Sequence, residues 1–128
     1  MEKEIIASPH APAAIGPYSQ AVKVGNTLYC SGQIAIDPST GELANESVEA
    51  ETRRVLENLS AVLAEAGFVL SDVVRTTVYM TDMEEYAKIN KIYGEYFGDN
   101  PPARAAVQVA NLPKYVRVEI SCIAVKTQ

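Results

Sequence analysis

The sequence predicts an α+β fold, a mixed sheet with two helices on one face, and two observations carry that prediction. Residues recur at helical spacing twice, at Val55, Leu56, Leu59, Val62, Leu63 and Ala66, and again at Tyr86, Ile89, Asn90, Tyr93, Tyr96 and Phe97. Shorter runs elsewhere alternate with a period of two, and together the elements read β-β-β-α-β-α-β-β. The chain has 128 residues, 48% of them hydrophobic and 21% charged, which suits one globular domain over residues 1–128 without linker, repeat or low-complexity tract.

Residues 4–7 form a first short strand, followed by the proline-rich loop SPHAPAAIGPY, whose rings limit its conformations. Residues 19–24 and 27–34 alternate around Gly25-Asn26, a pair suited to a tight hairpin, and the second run sets Tyr29, Ser31 and Gln33 on one face. Ser47 is the N-cap of the first helix, Glu49 and Glu51 complement its dipole in the first turn, and Gly67 ends it. Residues 73–80 are a β-branched strand with Arg75, Thr77 and Tyr79 on one face and Val74, Thr76, Val78 and Met80 on the other. Asp82 and Glu85 start the second helix and Gly98 stops it. Asn90 stands out in that helix's stripe, either as a satisfied core amide, which the pattern favours, or as a ligand contact.

The stretch PPARAAVQVANLPKYVRVEISCIAV, residues 101–125, holds the last two strands. Their link, residues 110–115, is hairpin-sized, and pairing across it sets Arg104 and Glu119 on one sheet face as diagonal neighbours. On pattern alone such a pair reads as a solvated surface ion pair. The sheet face away from the helices collects Tyr29, Ser31, Gln33, Arg75, Thr77, Tyr79, Arg104, Gln108, Arg117, Glu119, Ser121, Ile123 and Val125. This mixture is too apolar for a wet surface and too polar for a dry core, so association between subunits is expected to cover it.

A net charge of −5 without a Lys/Arg cluster argues against nucleic acid and against an anionic membrane surface. No apolar run reaches membrane-spanning length, and the acidic start MEKEIIASPH lacks the layout of a signal peptide, so a cytoplasmic location is expected. Cys30 and Cys122 fall in apolar strand phases and read as buried free thiols; His10, the one histidine, reads as a surface residue. These counts leave no metal-ligand set.

PARAAVQVANLPKYVRVEI, together with APAAIGPYSQA, SGQIAIDPSTGEL and RTTVYMTDMEEYAKIN, resembles the reactive intermediate deaminase family, also called the Rid or YjgF family, along nearly the whole chain. The resemblance implies a fold like that of the trimeric chorismate mutases, a homotrimer with ligand clefts between subunits, and no cofactor. It also implies hydrolysis of enamines and imines such as 2-aminoacrylate and 2-iminobutanoate to 2-oxo acids and ammonia. By the same resemblance Arg104 holds the substrate carboxylate, Glu119 is the acid/base, and Tyr18 hydrogen-bonds the ligand, the plainer role for Tyr18 being a packing residue at the rim. Ser31, Gly32 and Asn90 match further pocket positions. Ala106 stands where many members have cysteine, so a thiol has no part here and only the backbone N–H at that position is left to serve the substrate. Two other functions compete: a sensor that binds 2-oxo acids without turnover, and the RNA cleavage attached to some relatives, against which the acidic charge weighs.

Overall fold

The computed structural model describes residues 2–127, so the two outermost residues of the expected 1–128 unit, Met1 and Gln128, lie outside it. Its strands are β1 (Lys3–Ile6), β2 (Ala21–Val24), β3 (Thr27–Gln33), β4 (Val73–Met80), β5 (Ala103–Gln108) and β6 (Val118–Val125); its helices are α1 (Val48–Glu65) and α2 (Tyr86–Phe97). The Ser47 side chain caps α1 by accepting from the N–H of Ala50 at 3.0 Å, and Gly67, at φ +83°, turns the chain away. Asp82 caps a single 3-10 turn, Met83–Glu85, and α2 begins only after it. No helix among the described residues is long and apolar enough to cross a membrane.

The strands form one sheet in the order β1-β2-β3-β6-β4-β5. Both helices pack on one face, as the alternation requires. Leu28 and Cys30 of β3, Val78 and Met80 of β4, and Val118, Ile120 and Cys122 of β6 meet the buried stripes of α1 and α2 there. The α2 stripe buries Ile89, Ile92, Tyr93 and Phe97, while Tyr86 at its head stays 37% exposed. Cys30 and Cys122 face each other across β3 and β6 as buried free thiols; the Cys30 contact first and burial second push the Cys122 thiol far up, which makes it unreactive. His10 is exposed.

The expected β5–β6 hairpin is not there. β4 lies between the two strands, parallel to β5 and antiparallel to β6. Strand β4, helix α2 and β5 form a crossover unit, which calls for parallel pairing. The nine residues between β5 and β6, 109–117, make no tight turn: they include a 3-10 turn, Pro113–Tyr115, in which Lys114 and Tyr115 are left-handed at φ 56° and 54°. That path carries the chain across the end of β4 to the gap beside β3.

This topology corrects the faces. Arg104 pairs with the buried Thr76 and Ala106 with the buried Val78, so both lie on the helix side, whereas Glu119 pairs with Tyr79 on the open side. Arg104 and Glu119 are therefore on opposite faces and form no ion pair. Gln108 also belongs to the helix side, and Ala105 and Val107 replace it and Arg104 on the open face. A bulge between Cys30 and Gln33 turns Gln33 into the core at 5% exposure, and an irregularity between Val73 and Arg75 leaves Val74 exposed. Arg117 also leaves the open face. Its Nε donates to Glu51 at 2.8 Å, and the fully buried Glu51 carboxylate also accepts from the N–H groups of Arg117 and Val118, tying the start of β6 to α1 rather than only complementing a dipole.

Candidate active site

The expected site residues separate into two constellations, one on each side of the sheet. The first surrounds Glu119. Here the loop before β2 is stapled by Gln20, itself 5% exposed: its Oε1 accepts from the N–H of Ser8 at 2.6 Å, and its Nε2 donates to the carbonyls of Ser8 and Pro12 at 3.2 and 2.8 Å. One buried amide thus fixes a proline-rich segment that makes no ladder of its own. The fixed loop and the β3 bulge enclose a cavity of about 350 Å³ whose walls include Ile15, Ile34, Ile36 and Pro113. Tyr18, Ser31, Gly32 and Glu119 also line it.

Each of these four has a definite role in the geometry. The Ser31 hydroxyl donates to the Ser19 carbonyl at 2.6 Å and its N–H to the Gln20 carbonyl at 2.9 Å, joining bulge to loop. Tyr18, 49% exposed, stands at the rim, where its hydroxyl accepts from the N–H of Ile15 at 3.3 Å. Gly32 makes room for the acid. A Cβ there would meet Oε2 of Glu119 and lie 2.7 Å from its Cδ, so the carboxylate occupies the space a side chain would need. Burial among apolar walls raises the Glu119 carboxyl above the ordinary glutamate range, and no other cause contributes. A carboxyl moved toward neutrality can both take and return a proton.

The second constellation surrounds Arg104 on β5. Nη1 donates to Oδ1 of Asn90 at 2.8 Å and Nη2 to the hydroxyl of Tyr86 at 2.9 Å. The guanidinium carbon lies 4.8 Å from the Tyr93 ring centroid and 5.6 Å from that of Tyr86. Tyr93 is itself held by Thr76, its hydroxyl 2.6 Å from Oγ1. Among the described residues no carboxylate pairs with Arg104, so its charge is cradled by neutral groups and left uncompensated. Ala106 follows on the same side, its methyl packed against the core rather than beside Glu119.

The structure thus brings Tyr18, Ser31, Gly32 and Glu119 together, and separately Arg104, Asn90 and Ala106. The sequence reading missed Gln20, the isoleucine walls, and the role of Tyr86 and Tyr93. Tyr86, Asn90 and Tyr93 stand at i, i+4 and i+7, one helical stripe presented to Arg104. The sequence shows that phase, but there it is indistinguishable from a core stripe.

The chain matches the family model described as Endoribonuclease L-PSP over residues 8–126. It is 49% identical to the mouse protein named 2-iminobutanoate/2-iminopropanoate deaminase, over 97% of this chain and 92% of that one. A solved Thermotoga maritima structure, named as a candidate endoribonuclease, is 52% identical with a TM-score of 0.97 and covers 100% of both chains. A Yersinia pestis structure of the Rid protein family is 44% identical with a TM-score of 0.94, over 98% of this chain and 100% of that one. With this sheet, these helices and this end-to-end likeness, the chain belongs to the Rid (YjgF) family.

Proposed function

We propose that the protein hydrolyses small reactive enamines and imines, such as 2-aminoacrylate and 2-iminobutanoate, to 2-oxo acids and ammonia. The observation that carries this reading is the uncompensated Arg104: three of its five N–H groups are left for an incoming carboxylate, and its plane is already fixed. The other half of the reaction falls to Glu119. Its carboxylate takes a proton from water as the oxygen attacks the carbon of the N-protonated imine, giving a neutral carbinolamine; the acid passes that proton to the amine, and as the C–N bond breaks the carboxylate takes the hydroxyl proton, so that ammonia and a 2-oxo acid are released. An enamine enters by protonation at its terminal carbon. Tyr18 and Ser31 border the reacting centre, and the apolar walls receive the side chain. The name of the mouse relative supports this chemistry.

Because Arg104 and Glu119 lie on opposite faces of one sheet, one chain does not offer both to a single small ligand. The reading therefore includes a homotrimer in which one subunit supplies Arg104 and Asn90 and its neighbour supplies Glu119, Tyr18 and Ser31. The open face, with Tyr29, Tyr79, Val107, Ile123 and Val125, is apolar enough to be covered in this way. Mixing tests it. Inactive Arg104→Ala and Glu119→Gln chains, unfolded together and reassembled, should regain about a quarter of wild-type sites if a site draws its two halves from different chains. Absence of any recovery in reassembled trimers, or a monomer mass by light scattering, sinks the shared site. A sensor that only binds 2-oxo acids is separated by assay: freshly generated 2-iminobutanoate is consumed faster than its spontaneous decay only by an enzyme.

A further inference from the structure

We propose that Tyr86 is a positioning residue for carboxylate capture, holding the Arg104 guanidinium in the plane from which its free N–H groups meet the substrate; this rests on the role of Arg104 proposed above. An arginine on an edge strand has four side-chain torsions to fix, and one hydrogen bond leaves the head free to swing about that contact. Here two contacts at different nitrogens act together. Asn90 takes Nη1, Tyr86 takes Nη2 at 2.9 Å, and the Tyr93 ring lies 4.8 Å from the guanidinium carbon. Two in-plane anchors and one stacking surface define a plane.

Tyr86 also differs from its partners in exposure. Tyr93 is buried and serves the core through Thr76, whereas Tyr86 is 37% exposed and lies outside the buried stripe of α2. Core packing does not account for its hydroxyl. The phenol is coupled to its neighbours: the contact with Asn90 first and the charge of Arg104 next bring its pKa below the ordinary tyrosine value. Asn90 and Tyr86 both accept from Arg104, uncharged acceptors that orient the cation without neutralising it. A carboxylate in place of Tyr86 would bind Arg104 more tightly and compete with the substrate.

The test uses Tyr86→Phe, which keeps the ring 5.6 Å from Arg104 and removes only the hydroxyl. Imine hydrolysis coupled to a dehydratase gives KM and kcat, and calorimetry with 2-oxobutanoate gives Kd. Loss of one orienting hydrogen bond should raise KM and Kd together by roughly two- to tenfold and leave kcat within about twofold. Tyr86→Trp, which restores bulk but offers no acceptor, should not rescue. If Tyr86→Phe matches wild type in KM and Kd while Arg104→Ala loses binding, the positioning role is wrong and the role of Arg104 stands. If Arg104→Ala itself binds and turns over normally, both fall. A drop in kcat at unchanged KM also overturns the proposal, because it assigns Tyr86 to capture.

Discussion

The surroundings of Arg104 and of Glu119 treat charge in opposite ways. Arg104 is held without being neutralised: neutral acceptors and aromatic faces orient a permanent cation and leave donors free. Glu119 is underprovided, since burial opposes its ionisation and nothing offsets that cost. A group that only has to bind can be satisfied before the ligand arrives. One that must accept and release a proton works best when neither of its states is strongly favoured.

The contrast can be broken by substitution. Glu119→Gln keeps shape and removes the base, so turnover should fall by about 10²–10⁴-fold while 2-oxobutanoate still binds. Near-normal turnover would show that the water is activated elsewhere. At Arg104 the expected loss is of similar size but falls on binding: Arg104→Ala removes both charge-assisted bonds, at about 1.5–3 kcal/mol each, and should reduce kcat/KM by roughly 10²–10⁴-fold. Arg104→Lys keeps the charge but not the fork and should be nearly as damaging; a fully active lysine variant removes the two-pronged contact from the account.

Substitution at a third position separates access from chemistry. The methyl of Gly32→Ala would displace the Glu119 carboxylate, so kcat should fall without loss of Arg104-dependent binding, and unchanged kcat would mean that the carboxylate has room to relocate. The smallest effect concerns stability. Because the folded-state pKa of Glu119 is raised, its contribution is fully present below the unfolded value, near 4.5, and is lost as pH rises through the folded value. Glu119→Gln should therefore match the wild-type Tm in acid and exceed it at neutral pH, by a margin that grows across that interval. A Tm difference independent of pH contradicts the burial of the charge.

Element types were legible where local physics decides them: Ser47 and Gly67 delimit α1, and the β-branched run at β4 is a strand. Partner choice was not, because alternation fixes which residues share a face within one strand and says nothing about its neighbour. The hairpin-sized link after β5 invited the simplest pairing, and the crossover through α2 overrode it. Face assignments then failed in a traceable way, through the wrong neighbour at Arg104, a bulge beside Gly32 and a long-range ion pair at Arg117. A glycine inside a strand pattern was the available warning of the bulge. Tyr18, Ser31, Gly32 and Glu119 line one cavity, and their separation from Arg104 and Asn90 depends on the topology.

The place of β6 has a consequence for synthesis. It lies between β3 and β4, yet it leaves the ribosome after every other strand. Until it emerges, β3 and β4 each present an unpaired inner edge, and the nascent chain holds two sheet fragments that have no ladder between them. Final closure therefore waits on contacts between distant parts of the chain, a slow class of folding step, and for that interval the exposed edges are open to pairing with other nascent chains.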